Sequence, residues 1–190
     1  MASSIIYPYG SAQGVVVPAG ESIIINGGTT TYALVEFLEN SDLDILTNSF
    51  PIAVKLFATS RNRITLPGGT IFREQNIVLS PFENDTIESF WGNKLFVGCY
   101  GLNRFGMMEA DPLIVQAQTK LLKRSEHVIV MADSSKLRRK SAMIVAGLDR
   151  INTIVTDDGA KPEELEDFHS AGIKVIVAKV TPEDELKKIA

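Results

Sequence analysis

The segment Ser22-Ile23-Ile24-Ile25-Asn26 sets three isoleucines in succession and closes on an amide. A strand with one wet face alternates apolar and polar side chains, whereas an unbroken β-branched run belongs in a sheet covered on both faces. Similar runs return at Lys94-Leu95-Phe96-Val97, His127 to Met131, Ile151 to Val155 and Ile173 to Ala178, with shorter strands at Asp44 to Thr47 and Arg63 to Leu66. Helical stripes lie between them. Ala33, Leu34, Phe37 and Leu38 share one face, as do Ile52, Ala53, Leu56 and Phe57 behind Pro51, which sits where an early helical turn tolerates it. Asp111-Pro112 reads as N-cap and first residue of a helix running through Leu113, Ala117 and Leu121 to Arg124. Pro162 opens a last helix with Leu165 and Phe168, which Gly172 can terminate from the C′ position. Strand, loop, helix and strand at this spacing imply right-handed crossovers, hence an α/β fold built on a mostly parallel, Rossmann-like sheet with helices on both faces.

The rest is less regular. Ile77-Val78-Leu79 reads as a strand ended by Pro81, Asp85 as the N-cap of a short helix reaching Trp91, and Gly98 to Gly106 as a glycine-punctuated loop. No repeat or low-complexity linker interrupts the pattern, so one domain is expected over residues 14–190. Residues 1–13 are expected to be an arm or an expression remnant, and Pro182 to Ala190 a short terminal helix or a frayed end.

Composition excludes several classes. With 45% hydrophobic and 22% charged residues, the 190-residue chain is neither disordered nor collagen-like. Its longest apolar runs are a few residues, against the roughly 20 needed to span a bilayer. No Lys or Arg precedes an apolar N-terminal stretch, so a cytoplasmic protein with no membrane partner is expected. A net charge of −4 is the wrong sign for a surface that grips nucleic-acid phosphates. Cys99 is alone, so no internal disulfide can form, and His127 and His169 are far apart, so neither a metal site nor a cofactor is expected.

In open parallel sheets ligands bind outside the carboxyl ends of the strands. Here the residues at those positions are polar: Asn26-Gly27-Gly28-Thr29-Thr30-Thr31, Thr47-Asn48-Ser49, Gly68-Gly69, Gly98-Cys99-Tyr100-Gly101 and Asp133-Ser134-Ser135-Lys136. In the first group, glycines let backbone N–H groups approach an anion, the threonines add hydroxyls, and the following helix points its positive end at the site. A tight turn with a threonine cap would use the same residues. No Gly-Lys-Ser/Thr follows, so this is not a phosphate-binding P-loop, and the dinucleotide Gly-x-Gly-x-x-Gly pattern is absent. An ammonium beside two hydroxyls at Asp133 to Lys136 suits a phosphate or a sugar hydroxyl, although Lys136 also begins the basic run through Arg139 to Lys140, a pattern common on solvated surfaces. Lys120 lies beside the Leu113/Ala117/Leu121 stripe, placed to snorkel or to reach the same cleft. Asp111 is most simply a cap, His127 a core residue and His169 a surface one, and no nucleophile elbow or paired-histidine motif appears.

These post-strand segments, in this order, resemble the C-terminal effector-sensing domain of the DeoR family of bacterial sugar-metabolism repressors. The matching stretches are Ile25-Asn26-Gly27-Gly28-Thr29-Thr30, Leu46-Thr47-Asn48-Ser49-Phe50-Pro51, Pro67-Gly68-Gly69, Gly98-Cys99-Tyr100-Gly101-Leu102, Gln116-Ala117-Gln118-Thr119-Lys120, Ala132-Asp133-Ser134-Ser135-Lys136 and Ile154-Val155-Thr156-Asp157-Asp158. The resemblance implies a fold similar to ribose-5-phosphate isomerase and a phosphorylated sugar or sugar acid as effector. It also implies a homo-oligomer, and contact with DNA only through an N-terminal winged helix-turn-helix outside this sequence. The ligand-binding residues it implies are Asn26, Gly27, Gly28, Thr29, Thr30, Thr31, Thr47, Asn48, Gly68, Gly101, Lys120, Asp133 and Lys136. Three positions depart from the family pattern: Asn26 and Tyr100 stand where carboxylates are usual, and Gln116-Ala117 where Glu-Ala is. The stretch Ile77-Val78-Leu79-Ser80-Pro81 with Trp91 is similar to the branch that represses ascorbate utilisation, whose effector is ascorbate 6-phosphate. If Lys120 aligns with the lysine of the isomerase's catalytic Glu-Lys pair, Thr119 holds the glutamate's place and cannot act as a general base. Two further readings stand beside the sensor: a sugar-phosphate isomerase-like enzyme using Glu109 or Asp111, and a structural module whose strand-exit residues are only turns and caps.

Overall fold

The computed structural model describes residues 3–4, 15–38 and 42–179. The expectations for residues 182–190, and most of those for residues 1–13, therefore fall outside the described part. A seven-stranded sheet forms the centre. Its strands are β1 (Ser22–Ile25), β2 (Asp44–Thr47), β3 (Arg63–Thr65), β6 (Gly92–Val97), β9 (Ser125–Met131), β11 (Thr153–Asp157) and β12 (Lys174–Ala178). Every neighbouring pair is parallel, in the spatial order β12-β11-β9-β6-β1-β2-β3. Helices α1 (Thr29–Leu34) and α2 (Phe50–Thr59) cover one face, and α3 (Pro112–Leu122) and α4 (Pro162–Ser170) the other. Ile23 and Ile25 enter the core with Leu34, Ile52 and Leu56, while Ile24 joins Leu121, Leu165 and Phe168 on the opposite side. Both faces of β1 are therefore dry, which is why its sequence shows no alternation.

Sequence order fixes where the sheet can open. From β1 the chain moves outward through β2 and β3, then returns to β6 on the other flank of β1 and runs outward through β9, β11 and β12. The crossovers above β1 and β6 thus diverge, leaving a crevice at the carboxyl ends of these two strands.

Two antiparallel additions sit around that crevice. One is the hairpin of β4 (Thr70–Phe72) with β5 (Ile77–Leu79). The other is a three-stranded sheet of β7 (Gly101–Asn103), β8 (Gly106–Glu109) and β10 (Met143–Ala146), with β8 in the middle. The second replaces most of the loop expected over Gly98 to Gly106. Its strands are short, and β10 comes more than thirty residues after β8, so no local periodicity announces the pairing. Gly106 joins β7 to β8 at φ +114°, a conformation that L side chains rarely adopt, and a Cβ there would lie 2.0 Å from the Ala146 carbonyl oxygen.

The caps follow the sequence closely. Asp85 accepts from the Ile87 amide and Asp111 from the Leu113 amide, and Gly172 ends α4 at φ +77°. The helix after Asp85 is a single 3-10 turn, Thr86–Ser89, and α3 stops at Leu122, short of Arg124. His127 is exposed and not in the core: within β9 the burial is continuous only from Val128 on, and Glu126 and His127 before it face solvent.

Candidate functional site

A cavity of about 360 Å³ occupies the crevice between the carboxyl ends of β1 and β6. The turn after β1 supplies Asn26, Gly27, Gly28, Thr29, Thr30 and Thr31, and the segment after β9 supplies Asp133, Lys136 and Arg139. Gly98, Cys99 and Tyr100 come from the end of β6, Glu109 from β8, Ile114 and Gln118 from α3, and Gln75 and Ile77 from the β4–β5 hairpin. Segments far apart in sequence therefore converge on one space, as the strand-exit rule requires.

Within the first turn the roles divide. The Gly27 N–H donates to Asn48 Oδ1 at 3.1 Å, so that amide is used inside the protein. A Cβ on Gly27 would lie 2.5 Å from Ile77 Cγ2, which accounts for glycine at this position. The Thr31 hydroxyl is fully buried and lies 2.6 Å from the Asn26 carbonyl oxygen, bracing the turn and not offering itself to a ligand. The first-turn amides from Gly28 to Thr31 have no carbonyl to pair with inside the helix. The expected contribution of the helix's positive end is corrected: α1 has six residues before a 3-10 turn takes over, too short to sum an appreciable dipole.

The second group is equally ordered. Asp133 caps the 3-10 turn Ser134–Arg138, accepting from the Ser135 amide at 3.0 Å and from the Ser135 hydroxyl. The Ser134 amide donates to Asp157 at 2.8 Å. Lys136 is thus presented by a turn whose backbone is held at both ends. Arg139, part of a run that reads as mere surface, lines the cavity and stacks its guanidinium 5.7 Å from the Tyr100 ring centre.

Five residues named from the sequence lie outside this cavity. The Thr47 hydroxyl is buried and accepts from the Ser49 amide. Gly68 sits exposed in the turn between β3 and β4. Gly101 is buried, with room for nothing beyond its hydrogen because the Arg139 carbonyl oxygen would lie 2.6 Å from any Cβ. Asn48 touches the site through Gly27 but lines a second cavity of about 210 Å³, and Lys120 lines that second cavity as well. Lys120 is held there by the Ser80 and Phe82 carbonyls and by Asp85, at 3.2, 2.7 and 3.1 Å.

Conversely, Glu109, Gln118 and Arg139 are in the site without having been counted as ligand-binding. A hint for Gln118 existed: it falls on the buried side of α3 with Ile114, Leu121 and Leu122, at spacings of three and four. A glutamine in an apolar stripe needs polar company. Burial pushes the Glu109 carboxyl above its ordinary range, against hydrogen bonds from Gln118 and backbone amides and the nearby charge of Lys136. Burial, with the charge of Glu109 adding to it, lifts the Cys99 thiol to about 12, so this cysteine is a neutral wall residue and not a nucleophile. Among the described residues no group of three or more His, Cys, Asp and Glu could hold a metal ion, and no helix is long and apolar enough to cross a membrane.

An α/β domain with a polar crevice at its topological switch point, lined by the glycine-threonine turn after β1 and by both cationic and acidic side chains, is a small-ligand-binding domain of the doubly wound class. The chain belongs to the DeoR C terminal sensor domain family, whose pattern matches residues 10–158. This bears out the family resemblance drawn from the motifs. Curated relatives include the HTH-type transcriptional regulator UlaR of Shigella dysenteriae and that of Escherichia coli K12, each 29% identical over 167 residues. These alignments take in 87% of this chain and 65% of the relatives' length. Among solved structures, ribose 5 phosphate isomerase A from Neisseria gonorrhoeae aligns with a TM-score of 0.43 and 16% identity, over 63% of this chain and 47% of that one.

Proposed function

We propose that this sensor domain binds a phosphorylated sugar or sugar acid in the crevice between β1 and β6, and that occupancy regulates DNA binding by a helix-turn-helix of the kind named for its UlaR relatives. The observation that carries the reading is the convergence of Lys136, Arg139 and the amides after Gly27 on one cavity at the switch point. A phosphate dianion matches such a donor set, and each charge-assisted hydrogen bond contributes about 1.5–3 kcal/mol. The net charge of −4 supports assigning DNA contact to another part of the protein.

The reading is of a binder, not an enzyme. Asp111 is spent on capping α3 and does not line the cavity. The Thr119 hydroxyl donates to the Val115 carbonyl at 2.7 Å. Glu109 and Asp133 are the carboxylates that line the cavity, and Asp133 is engaged by the Ser135 amide and hydroxyl. Calorimetric titration with a panel of sugar phosphates, ascorbate 6-phosphate included, tests the proposal. Lys136→Ala is expected to weaken the best ligand by roughly 10- to 100-fold, the equivalent of one charge-assisted bond, and the ligand should be recovered unchanged. Equal affinity in wild type and variant, or conversion of ribose 5-phosphate, would refute it.

Self-association belongs to the same proposal. Phe57, expected on the face of Ile52 and Leu56, instead joins Phe50 and Val54 at i, i+4 and i+7 on the outer side of α2; the three are 83%, 44% and 51% exposed, an apolar stripe that a second copy could cover. Phe57→Asp is expected to shift sedimentation toward the monomer; an unaltered profile would place the interface elsewhere.

A further inference from the structure

Far from the crevice, a groove of about 560 Å³ opens at the amino ends of β6 and β9. It is bounded by the last turn of α3, by Val145 and Ala146 of β10 and by the 3-10 turn Leu148–Arg150. The groove shares no lining residue with the crevice, which lies about 20 Å away at the other end of β6, six residues at the rise of a strand. Trp91, immediately before β6, lines the groove and is 55% exposed. It is the single tryptophan of the chain. An indole carries a large apolar face, and one left half in water beside a cleft of this size marks a place of contact.

Two cations, Lys123 and Arg150, line the same space. The Lys123 side chain is exposed and, among the described residues, makes no hydrogen bond or ion pair. Arg150 Nη2 donates to the Leu122 carbonyl at 2.9 Å, which fixes the guanidinium and leaves its remaining N–H groups to a ligand. The carboxyl end of a helix repels an anion when its last carbonyls stay unpaired. Here the Thr119 carbonyl accepts from the Lys123 amide, that of Leu121 from the Arg124 amide, and that of Leu122 from Arg150 and the Ser125 hydroxyl. Asp149 adds an exposed acceptor to the wall. An aromatic face, two cations and a carboxylate discriminate between ligand classes. Inorganic phosphate would leave the indole in water, and a neutral aromatic compound would leave the cations unused. A nucleoside monophosphate answers every group. We propose that this groove binds one, with its base stacked on Trp91, its phosphate held by Lys123 and Arg150, and a sugar hydroxyl or base amine donating to Asp149. The groove has the size that such ligands occupy, and stacking tolerates any base, so a class and not one nucleotide is assigned.

Because Trp91 is the sole indole, its fluorescence reports on this groove directly. Titration with AMP, excited to the red of adenine absorption, is expected to quench it along a saturable curve with a midpoint at about 1 mM or below. Ribose 5-phosphate, which carries no base, should neither quench it nor displace AMP. Adenosine should bind about tenfold or more weakly than AMP, and Lys123→Ala should weaken AMP about tenfold with its melting transition unchanged, the loss of a charge-assisted contact. Trp91→Leu, followed by calorimetry, removes the stacking face but keeps the charges and should also weaken AMP about tenfold. The proposal is overturned by unsaturable or absent quenching, or by equal AMP affinity in wild type and Lys123→Ala. It is overturned too if excess ribose 5-phosphate displaces AMP or if Lys136→Ala weakens it, since either result places the nucleotide in the crevice. Should Trp91→Leu fail to fold, Lys123→Ala and adenosine decide alone, the lysine being exposed and unpartnered.

Discussion

Lys120→Met is expected to lower stability by about 3 kcal/mol, the scale for breaking a buried ion pair, while leaving sugar-phosphate affinity unchanged. The lysine stands where a cleft-lining cation was expected, yet its ammonium is committed to two main-chain carbonyls and the Asp85 carboxylate. The two side chains are 19% and 4% exposed, so solvent screens the pair weakly. Methionine keeps the stem's packing but leaves an uncompensated carboxylate and two carbonyls without their donor. Burial pushes the Asp85 carboxyl up, but the nearby Ser80 hydroxyl and the hydrogen bonds from Lys120 and the Ile87 amide outweigh it and hold the group below its ordinary range. A carboxyl depressed in the folded state contributes stability that is complete above its unfolded value and is lost as pH falls through the folded one. The gap between wild type and variant in urea denaturation should accordingly be wide at neutral pH and narrow toward about pH 3. A variant as stable as wild type would show the pair to be idle, and a variant that loses ligand affinity would return Lys120 to the site.

Gly101→Ala is the second large effect, expected at about 2–3 kcal/mol of destabilisation with weakened phosphate binding. The added Cβ would lie 2.6 Å from the Arg139 carbonyl oxygen and 3.0 Å from its carbonyl carbon. Both are backbone atoms, so no side chain can swing aside, and relief requires β7 to separate from the segment that carries Lys136 and Arg139. Loss of stability and loss of affinity should therefore come together. Gly68 offers the control. It belongs to a motif of the same family resemblance, but a Cβ there meets nothing within 4 Å, and Gly68→Ala should change stability by no more than about 0.5 kcal/mol. Chemical denaturation of both variants, with titration of the best ligand, checks the pair. Equal effects at the two glycines would disprove the packing argument.

The contrast between these glycines shows how far motif reading reaches. It placed both at strand exits, correctly, and could not say which would meet a carbonyl. Likewise the run Lys136 to Lys140 reads as solvated charge, but Leu137 turns into the core, and that anchoring aims Lys136 and Arg139 at the cavity on either side of it. Glu109, named only as a carboxylate of the isomerase-like alternative, and Gln118 were missed as ligand-site residues for a related reason. Glu109 is delivered by β8, which pairs with a strand far along the chain, and Gln118 becomes a site residue once that strand sets a carboxylate 3.1 Å from its amide.

Features that depend on a few neighbouring residues could be read directly from the order of amino acids. The doubly buried strands, the aspartate caps at 85 and 111, the glycine stop at 172 and the polar residues at the strand exits all arise from period and backbone conformation, which act over short stretches of chain. Which polar groups enter the crevice was settled by packing between distant segments. A few ångströms of displacement across the sheet send Lys120 to Asp85 and bring Gln118 to Glu109, and hydrogen bonds act only over such distances.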